Sequence, residues 1–344
     1  MARMFDVAVV GAGPAGLEVA RQCSEALDVV ILEEHKKIGG PNHCSGLISR
    51  NIDSFERPRQ DCIEHKVRGA VLHSPGGGEL VLKKPEFAAY VVDREKFDRQ
   101  VAEGVECGML MGSRLSSIKF GKDAVALKTK SKTIRAKCVV GADGSSSRVG
   151  AAVGARPREK VPGIMAITDE EDCGDFVELW FDKSITDCFL WKIPRGGTTE
   201  YGMWGSGSRF DVLEKFFGIG GMKCEKRGGV IPLGPPKTYF NRCILVGDAA
   251  AQVKPWSGGG VVWGMMCAGI AADALNTSPS FSESGLSRYQ REWKHAIGKQ
   301  LAAGMFMRRL YARSSNSQID ALMKTAGYMK LLNRLDMDFI VGSK

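Results

Sequence analysis

The sequence has no C-x-x-C pair, and its ten cysteines stand singly. That argues against a disulfide framework or a thiolate zinc site and fits a reducing, cytoplasmic setting. Long apolar runs are also missing. The longest, residues 261–272, is broken by Gly264 and Gly269 and falls short of the roughly 20 residues a bilayer span needs. A first strand is expected within five residues of Met1, which predicts no signal peptide. There is no internal repeat, no low-complexity linker and no stripe of interleaved basic and aromatic residues. The formal charge of +9 is therefore weak evidence for nucleic acid and instead favours an acidic partner or an anionic membrane surface, met from the side. What is present is ordinary. With 344 residues, 44% hydrophobic and 25% charged, the chain has material for one large domain or two interleaved ones.

Residues 5–10 and 29–32 read as short buried strands around a helix over 14–26, with Leu17, Ala20 and Cys23 on one face, a βαβ start. Residues 38–49 read as a loop, and 67–74 with 79–83 as a hairpin across Pro75-Gly76-Gly77-Gly78. Asp93 caps a helix over 94–104, followed by an antiparallel meander over 113–120, 124–129 and 133–136 and a separate buried strand at 138–141. Strands follow at 176–181, 188–193, 198–204 and 243–246, then a helix over 260–275. Residues 283–337 read as mostly helical.

Gly11-Ala12-Gly13-Pro14-Ala15-Gly16 lies between the first strand and helix. Gly11 permits the tight turn, Gly13 lets backbone approach a pyrophosphate, and Gly16 lets the helix pack on the strand. The phosphates then sit at the positive end of the helix. Glu33, at the end of the second strand, is placed to accept ribose hydroxyls. This motif alone says FAD or NAD. Two later motifs bear on the choice: Gly141-Ala142-Asp143-Gly144-Ser145-Ser146-Ser147-Arg148, and Ile244-Leu245-Val246-Gly247-Asp248-Ala249-Ala250, each after a buried strand. In the second, Asp248 can accept hydrogen bonds from a ribityl chain. Pro255-Trp256-Ser257-Gly258-Gly259-Gly260 then opens the next helix, whose N-terminus suits negative charge on a reduced isoalloxazine.

With the three motifs in this order over about 250 residues, the chain resembles the flavoprotein family typified by p-hydroxybenzoate hydroxylase, which implies FAD. Arg94 matches that family's arginine at the head of the helix after the first β excursion, a cofactor contact. Within the superfamily the chain is similar to the geranylgeranyl reductases, including the archaeal enzymes that saturate prenyl chains of membrane ether lipids. Ile38-Gly39-Gly40-Pro41-Asn42-His43-Cys44-Ser45-Gly46-Leu47-Ile48 looks like their cysteine loop beside the flavin. Phe189-Leu190-Trp191-Lys192-Ile193-Pro194 resembles their substrate motif, with Ile193 where phenylalanine is usual. Residues 255–261 resemble their P-x-x-G-G-G-I segment, with Trp256 and Val261 as variants.

The resemblance implies an α/β fold: a Rossmann-type FAD-binding part (1–65, 91–160 and 237–275), an interleaved antiparallel β substrate part (66–90 and 161–236) and a C-terminal helical region (276–344). It implies cofactor contacts at Gly11, Gly13, Ala15, Gly16, Glu33, Cys44, Ser45, Leu47, Arg94, Leu115, Asp143, Gly247, Asp248, Gly259, Gly260 and Val261. Phe189, Trp191, Pro194 and Trp256 are expected to meet the substrate, and Trp180 and Trp204 to line a tunnel by alternation. Cys44 is the candidate for proton delivery or for gating the flavin; no metal is expected. The expected substrate is a prenyl lipid or prenyl diphosphate, and the electron donor NADPH, a ferredoxin or a deazaflavin. Met305, Phe306, Met307, Leu310 and Tyr311 beside Arg308, Arg309 and Arg313 read either as a lipid-facing patch for peripheral contact with the cell membrane's inner face, or as a packed helix with a solvated basic edge. The competing activities are an aromatic or quinone hydroxylase of the same superfamily and a non-catalytic prenyl-binding carrier.

Overall fold

The computed structural model describes residues 3–278, 280–328 and 336–340. Strand β1 (Met4–Val10) runs from an exposed start to a buried end. Pro14 opens helix α1 (Pro14–Cys23), where its missing N–H costs nothing and its fixed φ suits the helix. The helix stops at Cys23 rather than Ala26, because the N–H groups of Ala26 and Leu27 both turn back to the Cys23 carbonyl. Asp28 is thereby brought to Asp6, and β2 (Val29–Leu32) begins.

Next come β3 (Leu47–Ser49), β4 (Ile63–Val67), β5 (Gly69–His73), β6 (Glu79–Lys83) and β7 (Ala89–Val92). Asp93 caps α2 (Arg94–Glu103) as expected, accepting from the N–H groups of Glu95 and Lys96. β8 (Gly108–Leu110), β9 (Leu115–Phe120), β10 (Val125–Thr129) and β11 (Thr133–Gly141) follow. β11 is one strand where two were expected. Its first half alternates between buried and exposed residues beside the meander, while its second half is buried on both faces. The change in pattern mimics a break in the sequence. The chain continues through α3 (Arg148–Ala152), β12 (Glu159–Thr168), β13 (Phe176–Trp180), β14 (Phe189–Pro194), β15 (Thr199–Trp204), α4 (Phe210–Phe217) and β16 (Cys224–Leu233). It closes with β17 (Tyr239–Phe240), β18 (Cys243–Leu245), α5 (Val261–Asn276), α6 (Glu283–Arg313) and α7 (Asn316–Tyr328).

Among the described residues the strands form three sheets. Parallel strands β18-β11-β1-β2-β8 make a Rossmann-type core, with β17 antiparallel at one edge and the β9–β10 hairpin on β11. α1, α5 and α6 share the hydrophobic cluster on one face of this core, and the hairpin joins the cluster on the other. β3-β7-β4 is a small antiparallel sheet. The seven-stranded sheet β16-β12-β15-β14-β13-β5-β6 is antiparallel except between β13 and β5. One of its faces lies under α4, with Leu190, Tyr201 and Met203 buried there. The opposite face carries Phe189, Trp191, Trp204 and Ile231 toward Val253 and Met305. No helix of the described residues is long and apolar enough to cross a membrane.

Candidate active site where the sheets meet

The dinucleotide end is built by close packing of backbone. Gly11 has φ +103°, and a Cβ on it would lie 2.4 Å from the Ala142 carbonyl oxygen. One on Gly16 would lie 2.1 Å from the Gly11 oxygen. The turn is thus pressed onto the Asp143 segment and the helix onto the turn. Gly13 differs: nothing stands within 4 Å of the position its Cβ would take, so open space lies over the start of α1. The first N–H groups of a helix have no partner within it, and that space suits a pyrophosphate. Glu33 accepts from the N–H groups of Ala12 (2.7 Å) and His35 (2.8 Å), which holds it rigidly at the end of β2. Ala15 packs against Gly247 and Gly264, tying α1 to the end of β18 and to α5.

Asp143 is spent locally. Its carboxylate accepts from the Ser147 hydroxyl and the N–H groups of Arg148 (2.6 Å) and Val149 (3.1 Å), bracing the turn that abuts Gly11. Asp248 is different, being exposed to solvent while neighbouring protein atoms crowd its carboxylate. Desolvation pushes its carboxyl up against the pull of Arg94. A Cβ on Gly260 would lie 3.0 Å from its Oδ1, so the head of α5 closes over it.

Arg94 makes two 2.9 Å bonds to Asp98, with Cys44 on its other side. Burial alone would lower its pKa, yet Asp98 and Cys44 hold it above the ordinary value. Arg94, Cys44 and Asp248 therefore come together from α2, the 38–46 loop and the end of β18. The loop is held by backbone: the Cys44 N–H donates to Asn42 Oδ1 (2.9 Å), the Gly46 N–H faces Cys44 Sγ (3.5 Å), and the Leu47 N–H donates to Ser45 Oγ (3.3 Å). Leu47 joins the cluster of Val67, Val91 and Ile193, which Trp191 also touches. His43 lies against Gly229 of β16, so the loop bridges to the large sheet.

On that sheet the Trp191 ring lies over Gly202, where a Cβ would come within 2.1 Å of it. Its indole N–H donates to Glu200 Oε1 at 2.8 Å. Phe189 meets Trp191 and Trp204 edge-on, with ring centres 6.1 and 5.4 Å apart.

The surroundings of four expected residues are specific. Pro194 falls on the other face from Trp191, because β14 alternates and the two stand three positions apart. Trp180 also lies on the α4 face, stacked on His73 and edge-on to Phe216 and Phe217. Trp256 packs on Gly304 of α6 and edge-on to Trp263, walling the α5–α6 contact. The Leu115 side chain is buried on the hairpin side of the parallel sheet with Val125 and Leu127. Gly202 and Glu200 were missed; a glycine inside an apolar strand was the signal available for the first.

Near the C-terminus, residues 336–340 cross the site. Met337 joins the Leu47 and Trp191 cluster. Asp338 pairs with Lys254 at 2.6 Å, and the Asn51 amide donates to both Asp338 and Asp336. On α6 the expected patch divides. Met305, Arg308 and Tyr311 turn inward, Arg308 to Glu159 and Tyr311 to the Cys188 carbonyl, whereas Phe306, Met307 and Leu310 are exposed beside Arg309 and Arg313.

The open space at Gly13 and the fixed Glu33 fit a dinucleotide lying over the start of α1. The family model described as Lycopene cyclase protein matches residues 6–161. A digeranylgeranylglycerophospholipid reductase of Methanothrix thermoacetophila is 31% identical, covering 92% of this chain and 90% of its own. A geranylgeranyl bacteriochlorophyll reductase-like protein of Thermoplasma acidophilum superposes with TM-score 0.88 at 20% identity, over 98% of this chain and 94% of its own. A mutant of the halogenase PltM solved in complex with FAD superposes with TM-score 0.72 at 11% identity, over 96% of this chain and 85% of its own.

Proposed function

We propose, for a chain that belongs to the digeranylgeranylglycerophospholipid reductase family, that it saturates isolated C=C bonds of geranylgeranyl chains in membrane-lipid precursors, with FAD as its flavin. The observation that carries the reading is the convergence of Cys44, Arg94 and Asp248 with the Leu47 loop that packs on Trp191. In this reading Gly11, Gly13, Gly16 and Glu33 hold the adenosine and phosphate end, and Ser45, Arg94, Asp248, Gly259, Gly260 and Val261 the flavin end. Residues 3–65, 91–160 and 237–275 carry the cofactor and 66–90 and 161–236 carry the substrate, while the C-terminal helical region contributes the described 336–340 segment to the site.

FAD, once bound and reduced by the electron donor, would supply the hydride equivalent for one alkene carbon. The chain must do the rest. An isolated alkene has no polar handle, so a preorganised anion site gives it nothing; a dry apolar wall that fixes the double bond does. Trp191, Phe189 and Ile231 form that wall. The second carbon takes a proton, which we assign to the Cys44 thiol. Arg94 stands beside that sulfur, and solvent returns the proton to it after transfer.

A lipid substrate suits a shallow contact of Phe306, Met307 and Leu310 with an anionic bilayer, flanked by Arg309 and Arg313. The charge of +9 suits an anionic electron donor, which an acidic ferredoxin, NADPH and a deazaflavin all are. The relatives lend no support to the hydroxylase or carrier readings.

The test is mass spectrometry of unsaturated prenyl lipids incubated with holoenzyme and dithionite. Two hydrogens gained per double bond are expected, and Cys44→Ala is expected to keep FAD while losing most of that gain. A wild-type protein that leaves the lipid unsaturated, or consumes oxygen and hydroxylates it, would sink the reading. Full activity in Cys44→Ala would remove only the assignment of the proton.

A further inference from the structure

Glu200 is fully buried and Arg195 is nearly so, beside the wall of the chamber and outside every motif that pointed to the site. A buried ion pair is a weak source of stability, because desolvation offsets most of its attraction. Its presence calls for another reason. The connections of this pair supply one.

Glu200 Oε1 accepts the Trp191 indole N–H at 2.8 Å, and its Oε2 accepts from Arg195 at 2.8 Å. The same guanidinium donates to the Ser45 carbonyl at 2.5 Å, one residue from Cys44, and pairs with Glu64 of β4 at 2.5 Å. One carboxylate therefore fixes the ring expected to hold the alkene, and its partner fixes the loop expected to hold the proton. Gly202 removes the side chain that would lift the ring away from Glu200.

Resting on the reductase reading above, we propose that Glu200 and Arg195 are positioning residues that lock Trp191 and the Cys44 loop into one register, so that the proton donor and the double bond stay aligned. Neither residue touches the reacting atoms in this scheme. The pair acts on the geometry of those that do.

The charged and titratable groups facing Glu200 are Arg195 on its own hairpin, Arg227 from β16 and, through Arg195, Glu64 from β4, with His43 nearby on the loop. Burial pushes the Glu200 carboxyl up to about 6, against Arg195, the Trp191 indole and Arg227. Below that pH the carboxyl takes a proton, the ion pair is lost with Arg195 left charged, and the lock loosens.

The experiment uses full-length, FAD-loaded protein and a prenyl lipid. In Glu200→Gln, kcat per bound FAD is expected to fall about ten- to hundredfold, as small misplacements of reacting groups do, with KM changed far less. FAD content and the rate of flavin bleaching by dithionite are expected to match wild type. The wild-type kcat profile is expected to show an acid limb near pH 6 that persists in His43→Ala and is absent from Glu200→Gln. Wild-type kcat with an intact limb in Glu200→Gln overturns the proposal, as does an activity loss that only follows lost FAD. If Glu200→Gln does not fold, Arg195→Lys, which keeps the charge but not the fork, is expected to lose kcat in part; wild-type kcat there, with no acid limb in the unmodified protein, overturns it equally. If wild type itself saturates nothing, the failure belongs to the functional reading.

Discussion

Replacing Asp338 with asparagine is expected to free the 336–340 segment from the site without unfolding the protein. The Asp338 carboxylate is fully buried and pairs at 2.6 Å with Lys254, whose side chain is 5% exposed. Removing one partner of such a pair costs about 3–5 kcal/mol when the other charge stays buried. Here it need not stay buried, because undocking the segment returns water to Lys254. The loss is therefore capped by the docking free energy. Met337 is half-buried and contributes less than the roughly 1.5–3 kcal/mol of a fully buried side chain, and each hydrogen bond to a charged group contributes about 1.5–3. Ordering each backbone residue costs about 1–2 kcal/mol, so five residues offset most of that gain. Docking is marginal, and loss of the ion pair exceeds what remains.

Hydrogen exchange over 336–340 reads this directly, with protection expected to vanish in Asp338→Asn. Lys254→Met with Asp338→Leu is expected to restore part of it, since an apolar pair carries no desolvation cost. Burial raises the Asp338 carboxyl, but Lys254, Ser49 and Asn51 outweigh burial and hold it below its usual value. A depressed carboxylate stabilises above its unfolded pKa, about 4, and the contribution fades as pH falls through the lower folded value. Docking is thus expected to survive pH 5 and fail in stronger acid. Wild-type protection in Asp338→Asn, or a double variant no better than the single, refutes the reasoning.

Two further outcomes follow from the geometry. Gly202→Ala puts a methyl 2.1 Å from the Trp191 ring, where ordinary contact begins near 3.4 Å, so the ring must retreat by more than an ångström. Overpacking of this kind costs about 1–3 kcal/mol, and a lowered Tm with an altered near-ultraviolet tryptophan signal is expected; an unchanged Tm and signal count against the packing described. Charge reversal at Arg309 and Arg313 is expected to abolish co-sedimentation with anionic liposomes while leaving binding to neutral ones unchanged, and equal binding to anionic liposomes ends the membrane contact.

Features governed by neighbouring residues were legible in the sequence. The βαβ start, the glycine turn with Glu33 and the Asp93 cap depend on contacts within a turn or on one short unit, where residue type and spacing carry the physics. Strand parity was only half legible. Alternation put Trp180 and Trp191 among candidate wall residues, but alternation does not say which face meets the cofactor, and the two lie on opposite faces. Asp143 and Asp248 both stand after buried strands, yet one carboxylate caps its own turn and the other stays exposed beside the head of α5. Arg195 beside a Gly-Gly turn reads as the solvated end of a hairpin; only the arrival of the Cys44 loop from 150 residues away buries it. The same holds for Lys254 and Asp338, 84 residues apart. The sequence by itself determined the cofactor-binding turn, because a phosphate is met by local backbone. The tertiary structure decided which charges are buried and which side chains face the chamber, because desolvation depends on what packs around a group and that comes from distant parts of the chain.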